Sequence, residues 1–238
     1  VSLFLAVPIS LAVANALLVA VLLFWVLAGQ YNERWRAVRG KLLTAPVLFI
    51  CAMMLVGVFY TVAPEKDVLK HLAKYAKLPL MLVLLSTLQD AAWRRRCWIA
   101  FATAMLFVLA CVYANIWFDL PWSTTHNFGW GQDHHVFGDY ITQNVMMSFF
   151  VLMALYWSGT SRDWWCRGAW GVVAILAIIS ITHLSLGRTG VVLVAAALLS
   201  YALAELRDRR ALMLTGIGTA VLAVSVLTSS IMQERIAL

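Results

Sequence analysis

The chain has 238 residues, 63% of them hydrophobic and 12% charged, with a formal net charge of +7 and a mean hydropathy of +0.86. A water-soluble globule carries about a quarter charged residues, so this composition excludes that class. It predicts an all-α fold, a polytopic transmembrane helical bundle, because most apolar runs exceed the roughly 18 to 20 residues that cross a bilayer. None shows the short alternation of an outer-membrane barrel strand, and the first run is too long for a cleaved signal peptide.

Taken in chain order, the apolar runs predict about eight spans, near residues 4–28, 42–61, 78–92, 97–117, 140–158, 168–186, 190–204 and 211–230. Asn15 stands alone in the first run, where an interhelical hydrogen bond accounts for it. Cys51 and Cys111 fall inside apolar runs, and Cys97 and Cys166 border basic loops. That placement predicts structural thiols rather than a disulfide framework.

The positive charge follows the connections and forms no single patch, so no nucleic-acid partner is expected. Arg34, Arg36, Arg39 and Lys41 follow the first run; Arg94, Arg95 and Arg96 follow the third; Arg162 and Arg167 follow the fifth; Arg207, Arg209 and Arg210 follow the seventh. With alternating spans all of these lie on one side. The other side holds only Lys66, Lys70, Lys74, Lys77, Arg188 and Arg235. Loops rich in Lys and Arg stay in the cytoplasm, so the second set faces outward.

The first outward segment, 64–77, places Lys66, Lys70, Lys74 and Lys77 at spacings of four, four and three. On a helix they stack along one face, opposite Val68, Leu69, Leu72 and Ala76, with His71 and Tyr75 beside them. A lysine stripe against the positive-inside trend calls for an anionic counterpart. Membrane-lipid headgroups and a diphosphate-bearing substrate both fit.

The next outward segment, Trp117 to Tyr140, contains no Lys or Arg but holds Asp119, Asp133, Asp139, His126, His134 and His135. Trp117, Trp122, Phe128, Trp130 and Phe137 lie among them; part of this set suits the membrane interface and part suits stacking on sugar rings. Adjacent residues of a loop rarely converge on one ion, so no metal site is predicted, and His134 and His135 are read as surface or acceptor-contact groups.

Between Ala169 and Ser200 the only ionisable side chains are His183 and Arg188, and Arg188 sits in Ser185-Leu186-Gly187-Arg188-Thr189-Gly190. An arginine at that depth is costly by a few kcal/mol or more unless it pairs or faces water. Its planar, permanently charged fork suits phosphate oxygens, and the flanking glycines permit a sharp turn. Phosphate binding and simple snorkelling at a helix end both fit this position. His183, just before the turn, reads as structural.

The chain begins at Val1 and stops at Leu238, shortly after an outward emergence. Residues 1–238 are expected to form a single transmembrane domain, the N-terminal part of a longer protein, with an outer-face loop after 238.

Several features together resemble the O-antigen ligase and Wzy-type polymerase superfamily of bacterial envelope glycosyltransferases, with the ligase branch the closer. They are Leu184-Ser185-Leu186-Gly187-Arg188-Thr189-Gly190 at an outward turn, Pro8-Ile9-Ser10 with Asn15 and Phe24-Trp25-Val26-Leu27-Ala28-Gly29, the Val68–Leu80 stretch with Lys74-Tyr75-Ala76-Lys77, and Gly138-Asp139-Tyr140 with Gln143 and Asn144. The resemblance implies a GT-C-like fold in the inner membrane of a Gram-negative bacterium, with its active face periplasmic. It implies transfer of a glycan from an undecaprenyl-diphosphate donor to lipid A–core, with no metal, nucleotide sugar or other cofactor. Arg188 matches the family's diphosphate-binding arginine and is the expected catalytic residue. Lys70, Lys74, Lys77, Tyr75, His134 and His135 are the expected substrate contacts. The family's second arginine and histidine lie in a later periplasmic loop, so no catalytic base is assigned here. An O-antigen polymerase of the same superfamily differs only in acceptor. A transporter or flippase for a lipid-linked anion is the rival from another class, although no second Gly-Arg-Thr-Gly-like segment marks paired broken helices.

Overall fold

The computed structural model describes residues 1–61, 64–75, 77–205 and 208–229; inside helices, the side chains of Glu65, Ala73, Lys74 and Arg188 lie outside that description. Ala76, Arg207, Arg235 and the 233–238 tail, all used above, also lie outside it. The described residues form helices α1 (Ser2–Ala6), α2 (Leu11–Leu27), α3 (Tyr31–Arg39), α4 (Thr44–Tyr60), α5 (Glu65–Tyr75), α6 (Lys77–Thr87), α7 (Ala91–Ala114), α8 (Tyr140–Thr160), α9 (Trp164–His183), α10 (Arg188–Ala204) and α11 (Arg209–Thr228), with no strand among them.

The all-helical class and its membrane character hold, whereas the count of about eight spans does not. Among the described residues, α7, α8, α9 and α11 are long and apolar enough to cross a membrane, and α2 with α3 makes a fifth only if that bent pair is one span. Among the described residues, α2, α4, α6 and α10, each taken alone, fall short of the spans expected of them. Pro8, which lacks an N–H and cannot sit inside a helix, separates α1 from α2. The expected span 78–92 is an 11-residue helix, about 16 Å long against a hydrocarbon core of about 30 Å. Near its end, Ser86 and Thr87 turn their hydroxyls back onto the carbonyls of Val83 and Leu84. Finally, Asp90 accepts from the Ala92 N–H at 2.9 Å and starts α7 early, so Arg94, Arg95 and Arg96 lie inside a helix rather than in a loop. Helices α4 and α10 are apolar but only 17 residues each.

The chain divides into two compact units, Val1–Leu3 with Ala12–Ile99, and Phe4–Leu11 with Ala100–Leu238. In the first, Gly29 and Gln30 both adopt left-handed backbone, at φ 63° and 59°. That conformation is free for glycine and unusual for glutamine. The two residues bend the α2–α3 pair by 116°. Trp25 anchors the corner: its indole N–H donates to Ser86 Oγ at 2.9 Å, and Arg34 donates to its carbonyl while lying over its ring. Most large apolar side chains of this unit are exposed, among them Leu23, Phe24, Phe49 and Phe59.

The second unit is packed around α8 and α9. Phe150, Val151 and Ala154 of α8 meet Ala177, Ile178 and Ile181 of α9, with Met105, Val108 and Val112 of α7, Val194 and Leu198 of α10, and Leu222 of α11 completing one buried cluster. Small residues set the spacing, as expected where van der Waals packing rather than water exclusion draws helices together. A Cβ added to Gly190 would lie 2.6 Å from Ile181 Cγ2, and one on Gly218 would lie 2.8 Å from Leu198 Cδ2.

Candidate functional site

Within the second unit, the first turns of α8 carry polar side chains into a buried environment. Asp139 caps the helix, accepting from the Thr142 N–H and hydroxyl. Those bonds, the Thr142 N–H first, hold its carboxyl below the usual carboxylate range against a smaller desolvation effect, and the nearby His135 adds to the lowering. One turn further on, Gln143 accepts from the Val136 N–H at 3.0 Å and Asn144 donates to Ser185 Oγ at 2.8 Å. Ser148 then donates to the carbonyls of Asn144 and Gly190. These side chains are buried, so each would carry a desolvation penalty without its partner. Together they fasten the 133–136 segment and the α9–α10 turn to the same helix end.

The loop between α7 and α8 has no helix or strand of its own, and side chains give it shape. Asn115, at the end of α7, donates to Ser123 Oγ and to the carbonyl and hydroxyl oxygens of Thr125. Thr124 and Thr125 then bond the carbonyls of Val136 and His135. Asn127 donates to the Asp133 carbonyl. The His134 backbone N–H donates to the Leu184 carbonyl at 3.0 Å, which joins the loop to the α9–α10 turn.

The two adjacent histidines have different surroundings. His134 is fully buried and its Nε2 lies 2.7 Å from the Gly129 carbonyl, which can only accept, so Nε2 carries the proton. Reaching a bound sugar from His134 requires this loop to open. His135 keeps 14% of its side chain exposed and donates from Nδ1 to Asp133 Oδ2 at 2.9 Å. That bond leaves the Nε2 lone pair available as an acceptor. Asp133 is itself buried, and its Oδ1 has no partner among the described residues; the same is true of Asn115 Oδ1 and His134 Nδ1.

Tyr140 lies between His135 and the turn that precedes α10. Its ring centroid is 6.2 Å from that of His135, and a Cβ on Gly187 would meet its Cδ2 at 3.3 Å and Asn144 Nδ2 at 2.5 Å. Only glycine lets the backbone pass so closely. Gly187 is the N-cap of α10 and supplies no side-chain cap, and Arg188 is the first residue of the helix. The uncapped N–H groups and the helix dipole favour an anion at that end.

His183 serves the packing. Its Nδ1 meets Thr182 Oγ1 at 2.9 Å, its Nε2 meets Thr228 Oγ1 of α11 at 3.3 Å, and its ring lies 5.5 Å from that of Trp130 of the loop, tilted by 42°. His126 pairs with Asp119, both more than half exposed. Among the described residues no three His, Cys, Asp or Glu side chains are grouped to hold a metal ion.

The expected lysine stripe lies in the first unit and is divided. Lys66, Lys70 and Lys74 belong to α5, whereas Lys77 opens α6; Lys70 and Lys77 are exposed, and the Lys74 side chain lies outside the description. Tyr75 lines an apolar cavity of about 430 Å³ with Cys51, Met54, Leu55, Leu69, Leu72 and Pro79. The second unit brings His135, Tyr140 and the start of α10 together. Asp133, Gln143, Asn144 and Ser185 join them without having been singled out for this from sequence. The usable signal was the row of polar residues at 143, 144 and 148 in an otherwise apolar helix. Protein-family models, curated proteins and solved structures were compared with the chain, and none matches.

Proposed function

We propose that the chain is the membrane part of a lipid-diphosphate-dependent glycosyltransferase of O-antigen ligase type, in a GT-C-like arrangement. It moves a glycan from undecaprenyl diphosphate to lipid A–core at the periplasmic face of a Gram-negative inner membrane. The observation that carries this reading is Arg188 at the uncapped start of α10, after a turn fixed by the Asn144–Ser185 and His134–Leu184 bonds. As the sugar–phosphate bond breaks, negative charge builds on the departing diphosphate, and an arginine that opens a helix supplies the charge to stabilise it. Arg94, Arg95 and Arg96 at the start of α7, and Arg162 and Arg167 around the start of α9, set against a 115–139 loop without Lys or Arg, support the orientation. Lys70, Lys74, Lys77 and Tyr75 receive the donor or the surrounding anionic lipid, while the 117–140 loop faces the acceptor through His135, and through His134 only when the loop opens.

The test is transfer by the complete protein in vesicles, with an undecaprenyl-diphosphate glycan as donor and lipid A–core as acceptor. The wild type forms the glycosidic product; Arg188→Lys, which keeps charge but loses the planar fork, falls strongly; Arg188→Ala is inactive yet still inserts. Wild-type transfer by a well-inserted Arg188→Ala protein overturns the reading. Transfer onto a second donor glycan instead of lipid A–core identifies a polymerase. The bent α2–α3 pair favours a transporter as the competing reading. Movement of labelled donor across the bilayer with no new glycosidic bond is its signature.

A further inference from the structure

We infer that the corner between α2 and α3 is a binding site for one anionic phospholipid, taken from the leaflet on the basic side of the membrane. The inference is independent of the transferase reading, because a transporter built on this chain would carry the same corner. A cavity of about 320 Å³ lies between α3 and α6, lined by Trp25, Tyr31, Arg34, Trp35, Val83 and Ser86. It shares no lining residue with the cavity beside Tyr75.

The sequence builds one wall of it directly. Tyr31, Trp35 and Val38 recur at helical spacing along α3 and share a face, with Glu33 and Arg36 on the opposite one. The α2–α3 bend of 116° turns that helix closer to the plane of the membrane than to its normal when α2 runs across, as an interfacial helix lies. Side chains hold it there. The Tyr31 hydroxyl donates to the Val26 carbonyl at 2.6 Å, and the Thr44 hydroxyl donates to the carbonyl of the buried Val38 at 2.6 Å.

Charge and lining together select the occupant. Arg34, Arg36, Arg39 and Lys41 gather here against one carboxylate, Glu33, and among the described residues none of them is ion-paired. Arg34 donates from Nη1 to the Trp25 carbonyl at 3.2 Å and lies 5.5 Å from the Trp25 ring centroid. A guanidinium has further N–H donors, and their fork matches phosphate oxygens. The Tyr31 hydroxyl, the Trp25 indole N–H and the Ser86 hydroxyl already have partners. A free phosphate would therefore sit among hydrocarbon with one guanidinium to hold it. A phospholipid brings its phosphate to Arg34 and lays the top of an acyl chain against Trp35 and Val83. Tyr and Trp rings favour that headgroup depth, and basic pockets on the cytoplasmic side take anionic headgroups. A lipid seated this way bridges α3 to α6.

The experiment uses the complete protein in nanodiscs of phosphatidylcholine doped with phosphatidylglycerol that carries a photoactivatable diazirine high on one acyl chain. Irradiation should label residues 31–38 and 82–86; unlabelled phosphatidylglycerol should displace the label, and inorganic phosphate should not. Arg34→Gln should lower this labelling about fivefold, one arginine's attraction to an anionic headgroup, and Arg34→Lys should lower it less. Trp35→Ser, which keeps the Trp25–Arg34 and Trp25–Ser86 bonds, should lower it too. Phosphatidylglycerol should also raise the melting temperature of the wild type above its value in phosphatidylcholine alone, and Arg34→Gln should lose that increment. The wild-type map decides the matter even where a variant fails to fold. Label spread evenly over the apolar helices, or equal labelling of the corner by a phosphatidylcholine probe of the same design, overturns the site. Displacement by inorganic phosphate overturns the lipid as its occupant. Failure of the same protein to transfer a glycan bears on the transferase reading and leaves this site standing.

Discussion

Asn144 and Ser185, separated by 41 positions in the chain, share a buried hydrogen bond of 2.8 Å that ties the second turn of α8 to the turn before Arg188. Replacing Asn144 with Leu keeps approximate volume but leaves the Ser185 hydroxyl without this donor, at an expected cost of about 1–3 kcal/mol. The melting temperature of the purified protein should fall accordingly. Asn144→Leu with Ser185→Ala should recover part of the loss, because no stranded hydroxyl remains. Equal melting temperatures for wild type and Asn144→Leu would show the bond to be inconsequential.

Orientation is checked by single cysteines in a background lacking the four native ones. Exposed positions Gln132 and Thr189 should react with an impermeant maleimide from outside intact cells, whereas Arg95 should react only after the membrane is opened. Outside labelling at position 95 reverses the orientation and removes the periplasmic assignment with it.

The lysines are separated from Arg188 by kinetics. If Lys70, Lys74 and Lys77 attract the donor diphosphate, changing all three to Gln should raise the donor KM several-fold with little change in kcat, since the contact is equally present in ground and transition states. The effect should shrink with added salt, because exposed charges are screened beyond about 8 to 10 Å near physiological ionic strength. Unchanged, salt-insensitive constants in neutral detergent would leave these lysines to the bulk lipid.

Acid should fray the start of α8. The folded carboxyl of Asp139 titrates below its unfolded value, so its capping contribution is complete above the ordinary carboxylate range and is lost as pH falls through the lowered value. Protection of the amides at residues 141–143, measured as exchange relative to the intrinsic rate at each pH, should fall on acidification in the wild type. Asp139→Asn, which caps without titrating, should show a flatter dependence, and Asp139→Ala should be weakly protected at every pH, having lost about 1 kcal/mol of cap.

The helical class and most segment positions were legible in sequence because apolar runs long enough to span a bilayer have few other uses. The position of the turn before Gly190 was legible for the same reason: a lone arginine between glycines interrupts such a run. Hydropathy did not reveal that 78–92 stops being helical after Thr87, since an averaged apolar run does not register the short break before Asp90, which caps the next helix. The left-handed Gln30 was equally hidden, because its neighbours override what glutamine prefers. In the site, the turn and the histidine-bearing loop were visible as composition. The difference between His134 and His135 was not, because it arises from Gly129, Asp133 and Leu184, which only folding brings to them.

The His183 imidazole also joins three parts of the second unit. Its ring packs on Trp130 of the loop, and its two nitrogens meet Thr182 of α9 and Thr228 at the last turn of α11. Beside it, Ser229 donates to the Thr182 carbonyl at 2.6 Å. One imidazole is thus the meeting point of the end of α9, the last turn of α11 and the 117–140 loop, so a substitution at His183 loosens all three together.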